Sequence, residues 1–391
     1  MTPLELRASI GLSGIFGLRM LGMFVILPVF AIYAESLPGG DDLTLVGIAI
    51  GIYGLTQAIL QIPFGWWSDR IGRKPVVYAG LVIFAIGSFV AALAPNIYIV
   101  ILGRVLQGAG AISAAVIAMT ADLTRESQRA KAMAMIGSTI GASFALSLIA
   151  SPWLDRVIGV PGIFAMTGIL ALAGIIVMWR VIPDAPQVPP APGRALKDFW
   201  SVLTDPQLAR LNWGIFALHA VLMALFIVVP FSLRDAGLPI AEHWKVYLPV
   251  MVGSFVLMLP PVMQAGNPVL LRRWFIIAVG LLLAGHLALP WLAANILFLS
   301  MFLLLFFVPF NVLEAMLPTL TTRLAPAHAK GTAIGLYSTI QFFGTFVGAA
   351  AGGFIYKYWG LSGVVVLDAG LLAIWLILAL GMRVPPVVTR A

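Results

Sequence analysis

Apolar side chains fill this chain in long runs separated by short polar connections. The runs lie at about 8–34, 44–67, 75–94, 97–121, 131–153 and 160–182, then at 209–232, 246–265, 274–290, 296–318, 331–355 and 361–382. About 20 apolar residues carry a helix across a bilayer, so each run predicts one membrane-spanning helix, twelve in all. Between Phe275 and Leu317 the apolar stretch is too long for one crossing, and Pro290 with Asn295 supplies the turn that divides it. The first run is longer than a signal-peptide core, carries Arg19 in its middle and lacks a small-x-small cleavage site. It reads as a retained first helix.

Composition agrees: 61% of the 391 residues are hydrophobic and 10% are charged, against about 25% charged in soluble domains. Twelve crossings take roughly 240 residues, which leaves little for a soluble domain. The absence of cysteine excludes disulfides, thiolate metal sites and a Cys nucleophile. The net charge of +8 raises a nucleic-acid reading, but the charges sort by loop. Of the Lys and Arg residues outside the spans, 17 fall on one side (Arg7, Arg70, Arg73, Lys74 and Arg125 among them) and four, Arg156, Arg234, Lys245 and Lys357, on the other. That asymmetry puts both termini in the cytoplasm, and the positive balance becomes a signal of topology in an inner (plasma) membrane instead of a sign of nucleic-acid binding.

The longest polar connection, rich in proline at Pro183, Pro186, Pro189, Pro190 and Pro192, follows the sixth run. It divides the chain into a six-helix half at 1–182, a cytoplasmic linker at 183–208, a second six-helix half at 209–382 and a short tail at 383–391. Phe16-Gly17-Leu18-Arg19 with Met23 returns 200 residues later as Phe216-Ala217-Leu218-His219 with Met223, and Lys131-Ala132-Met133-Ala134 returns as Lys330-Gly331-Thr332-Ala333 after 199. Two matches in register suggest a duplicated half, and parallel repeats with a site near the midplane are a transporter architecture.

After the second run stands Gly65-Trp66-Trp67-Ser68-Asp69-Arg70-Ile71-Gly72-Arg73-Lys74, which resembles the G-x-L-x-D-R-x-G-R-K loop motif of the major facilitator superfamily. The fourth run carries Arg104-Val105-Leu106-Gln107-Gly108, similar to that family's fourth-helix motif R-x-x-Q-G. Leu18 to Met23, Gly47 to Ala58 and Ala241 to Tyr247 resemble the YajR-like branch of proton-driven drug exporters. The resemblance implies an all-α membrane protein of two pseudo-symmetric six-helix halves, in which helices one, four, seven and ten surround a central cavity. In that branch a small cytoplasmic domain can follow the last span; with nine residues after 382, none is expected here. The antiporter motif of the fifth span is met only in part, by Gly137, Gly141 and Ser151-Pro152, which leaves the direction of transport open.

An ionisable group near the bilayer centre is expensive unless it is paired or faces a wet cavity. Arg19 lies roughly 16 Å into the first run, where a cavity or proton-pathway role competes with snorkelling to the interface. His219 holds the equivalent place in the seventh run and suits a proton relay or a packing role. Arg104 and Glu314, with Asn311 one turn before Glu314, lie within about two turns of a surface, so pathway roles compete with interface anchoring. Glu314 is the favoured proton acceptor, because desolvation adjusts a carboxylate toward exchange near neutral pH. Asp368 falls in the twelfth helix, which the family makes peripheral, and packing or an interfacial role is expected. Tyr53, Gln57 and Gln61 form a polar stripe of period four, as do Tyr337 and Gln341. Each stripe lines a cavity or bonds neighbouring helices.

In the family the equivalents of Asp69, Arg73 and Asp122 form a conformational lock, to which Gly65, Arg70, Gly72 and Lys74 of the motif belong; a solvated, topology-setting loop is the alternative. Gly344, Gly348 and Gly352, Gly47 with Gly51, and Gly137 with Gly141 have small-xxx-small spacing that suits close helix packing.

The expected function is secondary active transport, proton-coupled export of an amphipathic small molecule, by a monomer in the lipid bilayer. Catalysis, cofactors and metal are not expected. No Gly-x-x-x-x-Gly-Lys-Ser/Thr sequence offers an ATP phosphate site, so an ion gradient supplies the energy. The rivals are an importer of a sugar, amino acid or other metabolite, a non-transporting receptor, and a membrane enzyme, against which the scatter of the histidines at 219, 243, 286 and 328 counts.

Overall fold

The computed structural model describes residues 1–184, 195–292, 295–326 and 328–382. Among these the structure is helical and without strands: α1 (Pro3–Phe24), α2 (Leu27–Ala34), α3 (Leu43–Ile71), α4 (Arg73–Ala92), α5 (Ile97–Ala109), α6 (Ser113–Asp122), α7 (Glu126–Arg180), α8 (Ala195–Leu203), α9 (Pro206–Asp235), α10 (Trp244–Met263), α11 (Pro268–Leu292), α12 (Ile296–Leu324) and α13 (Lys330–Leu380). Ten apolar segments are long enough to cross a membrane. Two of them are too long for one crossing: α7 has 55 residues and α13 has 51. Each is broken by a glycine in the left-handed region, Gly159 at φ 67° and Gly360 at φ 60°, a conformation that glycine adopts without steric penalty. The two breaks are 201 residues apart and fall where the fifth and sixth, and the eleventh and twelfth, apolar runs were expected to part.

Local chemistry sets the other boundaries. Thr2 and Glu5 form a reciprocal capping box at the start of α1, with Pro3 in its first turn. Pro28, with no N–H and a ring that crowds the preceding turn, begins α2 and interrupts the first span at Val25 and Ile26. Asp42, Asn96, Asp205 and Asn295 accept backbone N–H bonds as N-caps of α3, α5, α9 and α12. Asn295 thus ends the loop expected near it, whereas Pro290 stays within α11. The fourth span is two helices, parted at Gly110 to Ile112.

The chain divides into two compact units, Met1–Ala191 and Pro192–Ala391. In the first, α1 lies along α7, where Ser143 Oγ donates to the Gly17 carbonyl at 2.9 Å. In the second, α9 lies along α13, and Gly344 and Gly348 of α13 meet the α9 backbone at Phe216 and Ala220 so closely that neither has room for a Cβ. A Cβ on Gly137 or Gly141 of α7 would instead meet nothing within 4 Å. The linker, expected as an extended polar connection, holds the short helix α8: its Phe199 and Val202 pack with Leu208, Ala325, Ala333 and Leu336. The proline-rich part of the linker, residues 185–194, and the tail, 383–391, lie outside the described residues. Large apolar side chains such as Ile59, Ile62, Ile176, Val256, Val366 and Ile377 are exposed, as befits faces solvated by lipid and not by water.

Candidate functional site

In the first unit two arginines are buried to within 2% of full enclosure. Arg19 of α1 donates from Nη1 to Ser113 Oγ at 2.9 Å and from Nη2 to Gln57 Oε1. Gln57 Nε2 passes the network to Gln61 Oε1 at 3.2 Å and Ser113 Oγ at 3.3 Å. Arg104 of α5 donates to Gln107 Oε1 at 2.8 Å and to the Ala49 and Ile50 carbonyls of α3, each at 3.3 Å. Gln107 continues to Ser88 Oγ at 2.8 Å, which also accepts from Thr167 at 3.3 Å. The Tyr53 ring is shared by the two guanidinium groups, 5.7 Å from Arg19 and 4.9 Å from Arg104. Such contacts stabilise a desolvated cation by about 2 kcal/mol. Both arginines are buried, so neither snorkels; of the Tyr53, Gln57 and Gln61 stripe, Gln57 bonds neighbouring helices, Gln61 bonds Gln57 on the same helix, and the Tyr53 hydroxyl is buried without a hydrogen-bond partner. The six transmembrane runs of this unit contain no Asp or Glu, so the two fixed charges rest on neutral groups alone.

The second unit answers with titratable groups. His219 of α9 has Nδ1 3.3 Å from the Ile215 carbonyl, so the proton sits on Nδ1 and Nε2 accepts. Gln341 Nε2 of α13 reaches that Nε2 at 2.8 Å and Glu314 Oε1 of α12 at 3.4 Å. One amide therefore bridges imidazole and carboxylate, whose own closest approach is 4.0 Å. Glu314 keeps 31% of its side chain exposed while His219 is buried. Three separately nominated residues are thus brought together. Asn311 is not among them: it donates to Ser254 Oγ of α10 at 3.0 Å. The Tyr337 hydroxyl is buried without a hydrogen-bond partner. Asp368, expected in a packing or interfacial place, is 1% exposed and sits 3.7 Å from His286, a residue that no sequence pattern had singled out.

At the loop motif Arg73 pairs with Asp69, donates from Nε to Asp122 Oδ2 at 3.0 Å and bonds Ser68 Oγ at 2.8 Å. Ser68 in turn donates to the Gly65 carbonyl at 2.7 Å. Gly72 makes the α3–α4 turn at φ 99°, which a side chain would strain. Arg70 stacks on Trp66 at 3.8 Å, and Lys74 pairs with Asp184 at 2.8 Å. Sequence reading missed a neighbour of this motif: Glu5 accepts from Arg125 Nε at 2.8 Å, Nη2 at 3.1 Å and backbone N at 3.0 Å, tying the start of α1 to the α6–α7 loop. The capping-box spacing of Thr2 and Glu5 was a signal that Glu5 sits at a helix start, but not of the arginine.

Residues 12–348 match the sequence model of the Major Facilitator Superfamily. The chain belongs to that superfamily. It is 46% identical over 391 residues, all of this chain and 86% of the relative, to the inner membrane transport protein YajR of Escherichia coli strain K12. It is 26% identical over 378 residues, 92% of this chain and 91% of the relative, to the multidrug resistance protein MdtH of Cronobacter sakazakii. Its fold superposes with a TM-score of 0.78 at 14% identity, over 97% of each chain, on a bacterial homolog of the human lysosomal transporter Spinster in an inward-facing, occupied conformation. The fold and the relatives are those of major facilitator transporters and not of enzymes, and the chain is a multi-pass membrane transporter.

Proposed function

We propose that this transporter exports amphipathic small molecules in exchange for protons, exposing its substrate site alternately to the two sides of an inner membrane. Glu314 is the proton acceptor, and Gln341 and His219 are positioning residues that hold and tune it. The observation that carries the reading is the Glu314–Gln341–His219 bridge: a partly exposed carboxylate, deep in an apolar helix bundle, with one oxygen bonded to a neutral amide and the other buried without a partner. A carboxylate so placed is poorly compensated when ionised and well suited to take a proton and give it back. MdtH, similar over nine-tenths of the chain, bears the name of a multidrug resistance protein, which supports a drug-like cargo. Twelve crossings, counted by dividing α7 at Gly159 and α13 at Gly360, together with the distribution of Lys and Arg support a topology with both termini in the cytoplasm. Arg19 and Arg104, fixed cations, set the electrostatic preference for cargo. The triad of Arg73 with Asp69 and Asp122 holds the cytoplasmic ends of α3, α4 and α6 together as a conformational lock.

The test is flux from proteoliposomes of the full chain under an imposed pH gradient, with a panel of fluorescent amphipathic dyes. Export driven by inward proton movement is expected for wild type and loss to background for Glu314→Gln. Full gradient-driven transport by Glu314→Gln would refute the proton assignment, and uptake running with the proton would identify an importer.

A further inference from the structure

We propose that His286 of α11 and Asp368 of α13 form a second proton-binding site, which holds one shared proton and is independent of Glu314. His286 is fully buried and Asp368 nearly so. His286 Nδ1 lies 2.8 Å from the Leu282 carbonyl; two lone pairs cannot face each other at that distance, so Nδ1 carries hydrogen. Protonation therefore remains open only at Nε2, which faces Asp368 Oδ2 at 3.7 Å. Neither Nε2 nor the other carboxylate oxygen, Oδ1, has a hydrogen-bond partner.

The surroundings decide how many protons the pair holds. The rings of Phe302 and Phe306, from α12, stand edge-on to the imidazole at 5.6 Å each. Both rings are uncharged, so among the described residues Asp368 is the charged group that faces the imidazole. With no proton between them, a lone carboxylate would stand in an apolar bilayer interior against an imidazole lone pair, at a penalty of several kcal/mol. With two, an imidazolium would face a neutral acid, and its charge would stand uncompensated in the apolar interior. With one, as acid and imidazole or as carboxylate and imidazolium, the pair is neutral overall and each atom facing the gap has a complement.

The other titratable pair of this unit lies at the far end of an aromatic column. Phe306 stacks on Phe310 at 5.7 Å, and Phe310 lies 6.1 Å from His219. Phenyl rings neither donate nor accept in a proton chain, so this column passes no proton between the two sites. Proton occupancy at His286 and Asp368 thus stands whether or not Glu314 couples transport to a gradient.

The chain has four histidines, which makes its ¹⁵N-histidine spectrum assignable by elimination with Gln variants at 219, 243 and 328. The experiment combines that spectrum with infrared spectra of the purified full chain in lipid at neutral pH. One of two results is expected. Either a protonated carboxylic acid band is lost in Asp368→Asn and kept in Glu314→Gln, or His286 gives an imidazolium signal that is lost in His286→Gln. A neutral His286 beside an ionised Asp368 would overturn the proposal, as would a carboxylic band that disappears only with Glu314→Gln while His286 stays neutral. If Asp368→Asn fails to fold, the assigned His286 signal together with a carboxylic acid band that persists in Glu314→Gln still distinguishes a protonated from an unprotonated pair.

Discussion

The two units carry ionisable groups in the bilayer interior in opposite ways. In Met1–Ala191 the embedded charges are Arg19 and Arg104, which keep their protons at any physiological pH. They are held by Gln57, Ser113, Gln107, two backbone carbonyls and the face of Tyr53. In Pro192–Ala391 each embedded carboxylate stands beside an imidazole, Glu314 with His219 and Asp368 with His286. The contrast is sharpest at one place in the repeat, because Arg19 and His219 are 200 residues apart. Duplication supplied the helix framework; the side chain at that place decides whether the unit holds a fixed cation or a proton-responsive group.

Exchanging the two chemistries gives the largest expected effect. His219→Arg sets a permanent cation within 4 Å of Glu314, where Coulomb attraction in a low-dielectric setting is worth several kcal/mol. The carboxylate then stays ionised, and gradient-driven flux in proteoliposomes should fall at least tenfold; unchanged flux would show that Glu314 does not cycle. The converse, Arg19→His, has a smaller effect. An imidazole can still bond one of Gln57 or Ser113, but it loses its charge near neutral pH. Flux should fall a few-fold and become dependent on pH between about 5 and 8, while a profile parallel to wild type would mean that the charge of Arg19 is not used. Thermal stability should change in the other direction from flux. Arg19→Met removes a buried cation that has no carboxylate partner, so its melting temperature should hold or rise, whereas a large fall would show that the neutral hydrogen bonds outweigh the desolvation of the charge.

Much of the framework was legible in the sequence, because a bilayer imposes one strong rule, runs of about 20 apolar residues, and this chain obeys it. Two short matches in register suggested a repeat, and the glycine breaks at 159 and 360 recur at nearly the same spacing. Charge placement marked Arg19, Arg104, Glu314 and Asp368 as the embedded residues, since a charge in an apolar run stands out. Their partners were not legible. Nothing about Ser113, Ser88 or Ser254 distinguishes them from other small residues of apolar helices, and Gln341 gives no sign that it spans two titratable groups on different helices. His286 was passed over because a histidine is not conspicuous by charge and its partner is 82 positions away. Asp368 was read by the place of its helix in the family, which gave no sign of its pairing with His286. The loop motif told which residues to look at, and the fold supplied the connectivity: Arg73 joins α3, α4 and α6 through Asp69, Ser68 and Asp122.

The smallest effects are expected at that triad, where neither rule of the bilayer interior applies in full. Asp69 and Arg73 are four residues apart at the α3–α4 turn, and the Asp69 side chain is 40% exposed; Asp122, on α6, is 18% exposed. Water screens the first pair more, so Asp69→Asn should cost a few tenths of a kcal/mol and Asp122→Asn about 1 kcal/mol. In thermal unfolding of the purified protein the order should be wild type, Asp69→Asn, Asp122→Asn, from highest to lowest melting temperature, with the gap to Asp122→Asn narrowing in high salt. The reverse order would mean that the local pair within the motif, and not the bond between helices, holds these helix ends, and the lock reading would lose its structural basis.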